Sequence, residues 1–151
     1  MPLRRQILAS LVALPVLMTP SFVLADEPVF YSSQQSAIGG FDPVSYFMAD
    51  GPQKGRSGIA VMWKGAIWHF ANEENRIRFE ANPRAYAPQF GGYCAYAVSQ
   101  GYTIGTDPLS WEIVNGHLYL IHSPAVAERW RADRAGFIAQ AEANWPAVLG
   151  E

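Results

Sequence analysis

The sequence contains a single cysteine, Cys94, among its 151 residues. An internal disulfide is therefore excluded, and the folded chain must be held together by an apolar core. Five tryptophans, seven tyrosines and eight phenylalanines can supply that core. The length and the 50% hydrophobic content fit one globular domain. The lone thiol is either a small buried hydrophobe or a group kept for its chemistry.

The chain also lacks runs of lysine and arginine. Its 11 basic residues are outnumbered by 13 acidic ones, which argues against nucleic acid as a partner. It contains no glycine-rich phosphate loop and no HExxH or GxSxG motif, so the sequence gives no indication of the catalytic chemistry that these motifs mark. Asp42 and Asp107 each precede a proline, which is typical of turns. Glu112 is expected to be solvated.

Only one apolar run is long, and it lies near the N-terminus. Arg4 and Arg5 precede the run 7–18, and Val23-Leu24-Ala25 fits a cleavage site. This is the pattern of a secretory signal peptide, and prolines keep the run shorter than the roughly 20 residues that span a bilayer. The paired arginines loosely fit a twin-arginine signal, but the general secretory route is favoured. We expect export to a bacterial periplasm and no membrane association afterwards.

The chain is therefore predicted to have four segments. Residues 1–25 form the signal peptide, 26–37 a flexible leader, 38–146 the folded domain and 147–151 a C-terminal tail. Loss of the two arginines in the signal peptide leaves nine basic residues against 13 acidic ones, a net charge of about −4. The exported domain is predicted to be mildly acidic.

Two tight-turn dipeptides predict antiparallel β-hairpins. Lys64-Gly65 separates two apolar strands, and a two-residue turn there leaves Met62 diagonal to His69 on one face. Asn115-Gly116 predicts a second hairpin of the same type.

Helices are predicted after each hairpin. The first begins after Asn72 and is interrupted at Asn82-Pro83. A single long helix from Pro124 carries an apolar stripe as far as Trp145. The predicted architecture is α+β, a small single domain of two hairpins packed with two or three helices.

A series of motifs runs in order from about residue 38 to Trp145. They are Gly39, Phe41-Asp42-Pro43-Val44-Ser45-Tyr46-Phe47, Trp63-Lys64-Gly65, Trp68-His69-Phe70, Arg78-Phe79-Glu80-Ala81-Asn82-Pro83, Tyr86, Gly91-Gly92-Tyr93-Cys94-Ala95-Tyr96, Asp107-Pro108 with Trp111, and Gly116-His117-Leu118-Tyr119-Leu120. This set resembles the YHS domain, and more closely its exported branch of YHS domain-containing (seleno)proteins. Trp68-His69 falls at the Tyr-His position of the family's name.

The resemblance implies two kinds of chemistry. YHS domains are associated with heavy-metal transport and sensing through cysteines, but Ser45, Ala71 and Asn75 stand in the corresponding regions of this chain. In the exported branch, some members carry selenocysteine at the position that matches Cys94. That position is therefore implied to be redox-reactive.

Three functions remain open. The first is a binding module for a soft metal ion, namely copper, with Cys94, His69, Met62 and His122 as ligands. The second is a thiol redox protein that uses Cys94 with an external partner, through a sulfenic acid or a mixed disulfide. The third is a non-catalytic interaction domain with a structural cysteine. The expected partner is a soft metal ion or a redox or metallochaperone protein.

Overall fold

The computed structural model describes residues 28–150. The predicted signal peptide 1–25 lies outside the described residues, and so do residues 26–27 and Glu151. None of the helices in the described part is long and apolar enough to cross a bilayer. In chain order the elements are β1 (Ser32–Ser33), β2 (Ser36–Ala37), β3 (Arg56–Trp63), β4 (Ala66–Phe70), α1 (Glu73–Ala81), α2 (Pro83–Tyr86), α3 (Ala95–Ser99), β5 (Asp107–Val114), β6 (His117–Ile121), α4 (Pro124–Ala132) and α5 (Arg134–Asn144).

The predicted α+β class is confirmed: three small antiparallel hairpins and five α-helices form one domain between residues 28 and 150. The predicted registers hold next to both turns, and each ladder shifts farther along, so that Phe70 pairs with Arg56 and Ile121 with Asp107. In the first, Val61 pairs with Trp68 and Met62 with Ile67. Both turns have positive φ at their two central residues, the geometry that the type I′ dipeptides require. A third, two-residue ladder, β1–β2, was not predicted.

The helix that follows the first hairpin begins and ends where the sequence predicts. The side chain of Asn72 accepts a hydrogen bond from the amide of Asn75 and caps α1. Pro83 then opens the short helix α2.

The prediction of one long C-terminal helix is wrong. Asp133 interrupts it with non-helical backbone between α4 and α5. Its carboxylate accepts a hydrogen bond from the amide of Gly136 and so caps a new helix. Together with the short helices α2 and α3, this break raises the number of helices above the two or three expected.

Two apolar cores lie on opposite faces of the β5–β6 hairpin. The hairpin core contains Val44, Tyr46, Trp68, Phe70, Phe79, Leu118 and Leu120. The helical core contains Tyr93, Cys94, Val98, Tyr119, Ile121, Trp130 and Ala141. Because successive residues of a strand point to opposite faces, β6 contributes to both cores and is buried from Leu118 to Ile121.

The described parts of both predicted flanking segments, residues 28–37 and 147–150, pack against the domain. The sequence places residues 26–37 in a flexible leader, but Ser36 and Ala37 are buried and the amide of Tyr31 donates to the carbonyl of Gly91. The predicted tail 147–151 likewise packs inward through Leu149, which is 3% exposed. Burial of Ala37 and Leu149 in the two cores holds these segments against the domain.

Two carboxylates fix the architecture, and one of them departs from its prediction. Asp42 is completely buried and accepts hydrogen bonds from the amides of Val44 and Ala71 and from the side chain of Asn75. Glu112 was expected to be solvated, but it accepts two hydrogen bonds from the guanidinium of Arg134 and one from the indole of Trp130. It thereby ties β5 to α4 and α5.

Candidate functional site

Cys94 lies inside the helical core, at the N-terminal end of α3. Only 1% of its surface is exposed. Burial raises the pKa of the thiol, and the backbone amides of Ala97, His122 and Tyr96 lower it by less. A neutral, sealed thiol is a poor nucleophile and a poor metal ligand, because both roles need the thiolate.

The predicted histidine ligands are more exposed than the thiol. His122 brings its backbone amide to Cys94, but its exposed ring makes a 2.8 Å contact from Nδ1 to the carbonyl oxygen of Gly105. His69 alternates with Trp68 and Phe70 along β4, so it faces away from the hairpin core. Cys94, by contrast, belongs to the helical core.

Met62 shares the outward face of the first hairpin with His69, as predicted. Its side chain is 66% exposed. Between residues 28 and 150, no group of three or more His, Cys, Asp and Glu side chains is arranged to hold a metal ion. Cys94 lies in the helical core, whereas Met62 and His69 lie on the outward face of the first hairpin. The copper and thiol redox hypotheses both stay predictions.

A different part of the described surface has the shape of a binding site. It is an open groove of about 310 Å³ where the N-terminal segment, the tip of the first hairpin, α2 and the end of α5 meet. We call it the Trp63–Trp145 groove. The side chains that give it its character are Phe30, Trp63, Lys64, Arg84, Phe90 and Trp145.

Aromatic rings from both cores form the walls of the groove. On one side the ring of Phe30 lies 5.4 Å from that of Trp63. On the other, the rings of Phe90 and Trp145 are 6.0 Å apart. Each pair lies within the range of favourable aromatic packing. The walls are therefore supported by neighbouring rings and offer preformed apolar faces.

The charges at the groove are of one sign among the described residues that line it. Lys64 and Arg84 both contribute, and no acidic residue does. The Lys64 ammonium lies 5.4 Å from the centre of the Trp63 ring, within cation–π distance. The β3–β4 turn holds Lys64 at this edge, and Arg84 is carried by α2, whose start is fixed by Pro83. Gln89 adds an amide to the lining.

None of the groove side chains was predicted as a site residue. Lys64 was assigned only to a turn, and Trp145 only to a helix stripe. The sequence offers no local signal for the groove, because its walls come from segments that are more than 100 residues apart at their extremes, from Val29 to Trp145.

Comparisons with family models, with curated proteins and with solved structures found no match to this chain. The resemblance to the exported YHS branch therefore stays a prediction.

Proposed function

We propose that this protein is a non-catalytic binding module that holds a small aromatic organic anion in the Trp63–Trp145 groove. The observation that carries the proposal is the lining of one groove by two cationic side chains and by aromatic rings from both cores. In this proposal Cys94 is structural, in agreement with the third function that the sequence left open.

The charge of the groove supports an anion as the ligand. The chain as a whole has a formal net charge of −2, yet Lys64 and Arg84 make this groove locally positive. A guanidinium presents a planar fork that matches a carboxylate, and an ammonium adds a mobile point charge. A local field opposite to the net charge favours anions at this position over the remaining surface.

The walls and the volume support a flat apolar body attached to the anionic group. Small-molecule sites typically measure about 300–1,000 Å³, and the groove lies at the lower end with about 310 Å³. A one- or two-ring aromatic ligand can stack on Trp63 or Trp145 while its acidic group meets the cations. Such a ligand would remove apolar ring surface from water, which is the main source of affinity in sites of this kind.

Binding, rather than catalysis, is supported by what lies at the groove. The only thiol of the chain is buried in the helical core, and it is not among the residues that line the groove. The lining side chains that carry polar atoms are cations, an amide and indoles, which can hold an anion by charge and hydrogen bonds.

The test uses 2-naphthoate as an anionic probe and 2-naphthamide as its neutral counterpart, both titrated calorimetrically into the purified protein. We expect measurable binding of naphthoate and clearly weaker binding of the amide. Binding should also weaken with added salt, because the screening length falls from about 10 Å at 0.1 M to about 3 Å at 1 M. Equal affinities for the two probes, or no binding of naphthoate, would contradict the proposal.

Matched variants locate the site. Lys64→Gln and Arg84→Gln remove one charge each from the groove. Each should weaken naphthoate binding by a factor between about 1.4 and 5, since exposed ion pairs contribute roughly 0.2–1 kcal/mol. Lys54→Gln and Arg129→Gln remove the same charges from exposed positions outside the groove. If these controls weaken binding as much as the groove variants do, the anion is bound elsewhere or only by general attraction.

We also propose that the module acts outside the cytoplasm, in a bacterial periplasm. The support is the signal-peptide pattern of residues 1–25. A single buried cysteine is compatible with an oxidising compartment because it is not available to form mixed disulfides. Mass spectrometry of the protein from a periplasmic fraction should find Asp26 as the first residue. Recovery of the uncleaved chain from the cytoplasm alone would contradict this.

A further inference from the structure

One wall of the groove is a short N-terminal segment, Pro28–Tyr31, which we call the strap. Val29 and Phe30 line the groove directly. The strap is far in sequence from the rest of the lining, so it must be held in place by specific contacts. We infer that Gly91 and Tyr93 are positioning residues that dock the strap, and that ligand binding depends on this docking. The inference rests on the proposed function of the groove.

Two hydrogen bonds attach the strap to the segment around Gly91. The amide of Tyr31 donates to the carbonyl oxygen of Gly91 at 2.9 Å. The hydroxyl of Tyr93 donates to the carbonyl oxygen of Pro28 at 2.7 Å. Tyr93 is 2% exposed, so its hydroxyl is held at a fixed position beneath the strap. The two bonds bracket Val29 and Phe30.

Gly91 is the residue over which the strap passes. A Cβ at this position would overlap the carbonyl oxygen of Val29. Gly91 also has a φ of +61°, a conformation that favours glycine. Any larger side chain here must displace the strap, so the close approach of the two backbones requires glycine.

The strap is also anchored through its aromatic ring. Phe30 lies 5.2 Å from Trp68 and 5.4 Å from Trp63, measured between ring centres. Trp68 is completely buried in the hairpin core. Undocking of the strap would therefore remove Phe30 from Trp63 and open one wall of the groove, while Trp63 would keep its contacts with the rings of Trp68 and Phe79.

The experiment combines two measurements on each variant of the purified protein: hydrogen exchange at the Tyr31 amide, which reports docking, and the affinity for 2-naphthoate. Gly91→Ala should accelerate exchange at Tyr31 strongly. If fewer than a tenth of the molecules keep the strap docked, apparent affinity falls at least about tenfold. Gly116→Ala is the matched control, because Gly116 also has positive φ, at +79°, but nothing lies near its Cβ position. It should change neither measurement.

Two further variants keep the inference testable if Gly91→Ala does not fold. Phe30→Ala removes the ring anchor and should raise exchange at Tyr31 and weaken naphthoate binding together. Tyr93→Phe removes one hydrogen bond and should raise exchange about two- to tenfold, with little loss of affinity because most molecules stay docked. Tyr102→Phe, at an exposed position, should leave both unchanged.

The outcomes separate the two proposals. If the wild-type protein binds no naphthoate, the proposed function fails, and the inference fails with it. If wild type binds but Phe30→Ala or Gly91→Ala shows fast exchange at Tyr31 with wild-type affinity, only the inference is overturned. Slow exchange at Tyr31 in a folded Gly91→Ala variant would also overturn it, since the strap would then not depend on that close approach.

Discussion

The thiol of Cys94 should resist alkylation in the folded protein. The native chain and the same chain in concentrated guanidinium chloride are each treated with iodoacetamide at a pH near the ordinary thiol pKa of about 8.5. With 1% of the residue exposed, the reagent can reach the sulfur only when the helical core opens around α3. Burial also raises the pKa of the thiol, which lowers the reactive thiolate fraction further.

The expected protection follows from the cost of opening. The free energy of local opening ranges from about zero to the free energy of global unfolding, which for a domain is about 5–15 kcal/mol. The neighbours of Cys94 in the helical core, including Ala95 and Val98, are completely buried, so opening should cost at least about 3 kcal/mol. Because each 1.4 kcal/mol is a factor of ten, the native chain should react at least about 100-fold more slowly than the unfolded chain.

Mass spectrometry at timed intervals gives both rates, and the experiment is repeated with copper ions present. The three functional hypotheses then differ. A structural Cys94 gives slow alkylation with and without copper. A redox thiol gives fast native alkylation, and a copper ligand gives fast alkylation that copper suppresses. If the native chain is alkylated at a rate within about tenfold of the unfolded chain, opening costs less than about 1.4 kcal/mol. That result would contradict the burial of Cys94 in a closed core.

Two further predictions concern the buried and half-buried carboxylates. Asp42→Ala should lower the free energy of unfolding by roughly 3 kcal/mol or more, because it leaves buried hydrogen-bond donors, including the side chain of Asn75, without an acceptor. Asp50→Ala, at an exposed position, should cost little. Similar urea midpoints for the two variants would contradict this. Hydrogen bonds from Arg134 lower the pKa of Glu112. The contribution of this ion pair to the stability of the folded protein is therefore present above the ordinary pKa of about 4.3, and it is lost as pH falls through the lower folded-state value. Wild type should therefore lose more stability than Glu112→Gln on acidification from about pH 5 to pH 3, and parallel losses in the two proteins would show that the ion pair does not act in this way.

The parts of the fold that sequence predicts well are those decided locally. Lys64-Gly65 and Asn115-Gly116 specify their turns through backbone conformation, and a two-residue turn fixes the register of each hairpin next to the turn, up to the shift in its ladder. Asn72 caps α1 through a hydrogen bond only three residues along the chain. Such signals need no knowledge of the rest of the molecule.

The parts that sequence missed depend on distant partners. Asp133 is a possible helix cap, but it lies within an apolar stripe that continues on both sides of it. The prediction of one long helix relied on that stripe. The role of Glu112 requires Arg134 to be placed beside it by the packing of α5. The polar composition around the strap suggested flexibility, while its actual position depends on Gly91, some sixty residues later.

The candidate site shows the same limit. Soft ligand types suggested a copper site, but residue types do not fix which core each residue enters. Cys94 lies in the helical core, and His69 faces away from the hairpin core. The groove that the structure presents instead is formed from residues whose separate local roles, a turn and a helix end, gave no sign of a shared surface.

Binding of an aromatic anion in the Trp63–Trp145 groove is tested most directly by NMR correlation spectra of the five tryptophan indoles. The signals are assigned by single Trp→Phe substitutions and followed during titration with 2-naphthoate. If the aromatic anion binds in the groove, the indole signals of Trp63 and Trp145 should shift together with a common saturation curve, and those of Trp111 and Trp130 should stay in place. Shifts at Trp111 or Trp130 with Trp63 and Trp145 unmoved would contradict the account.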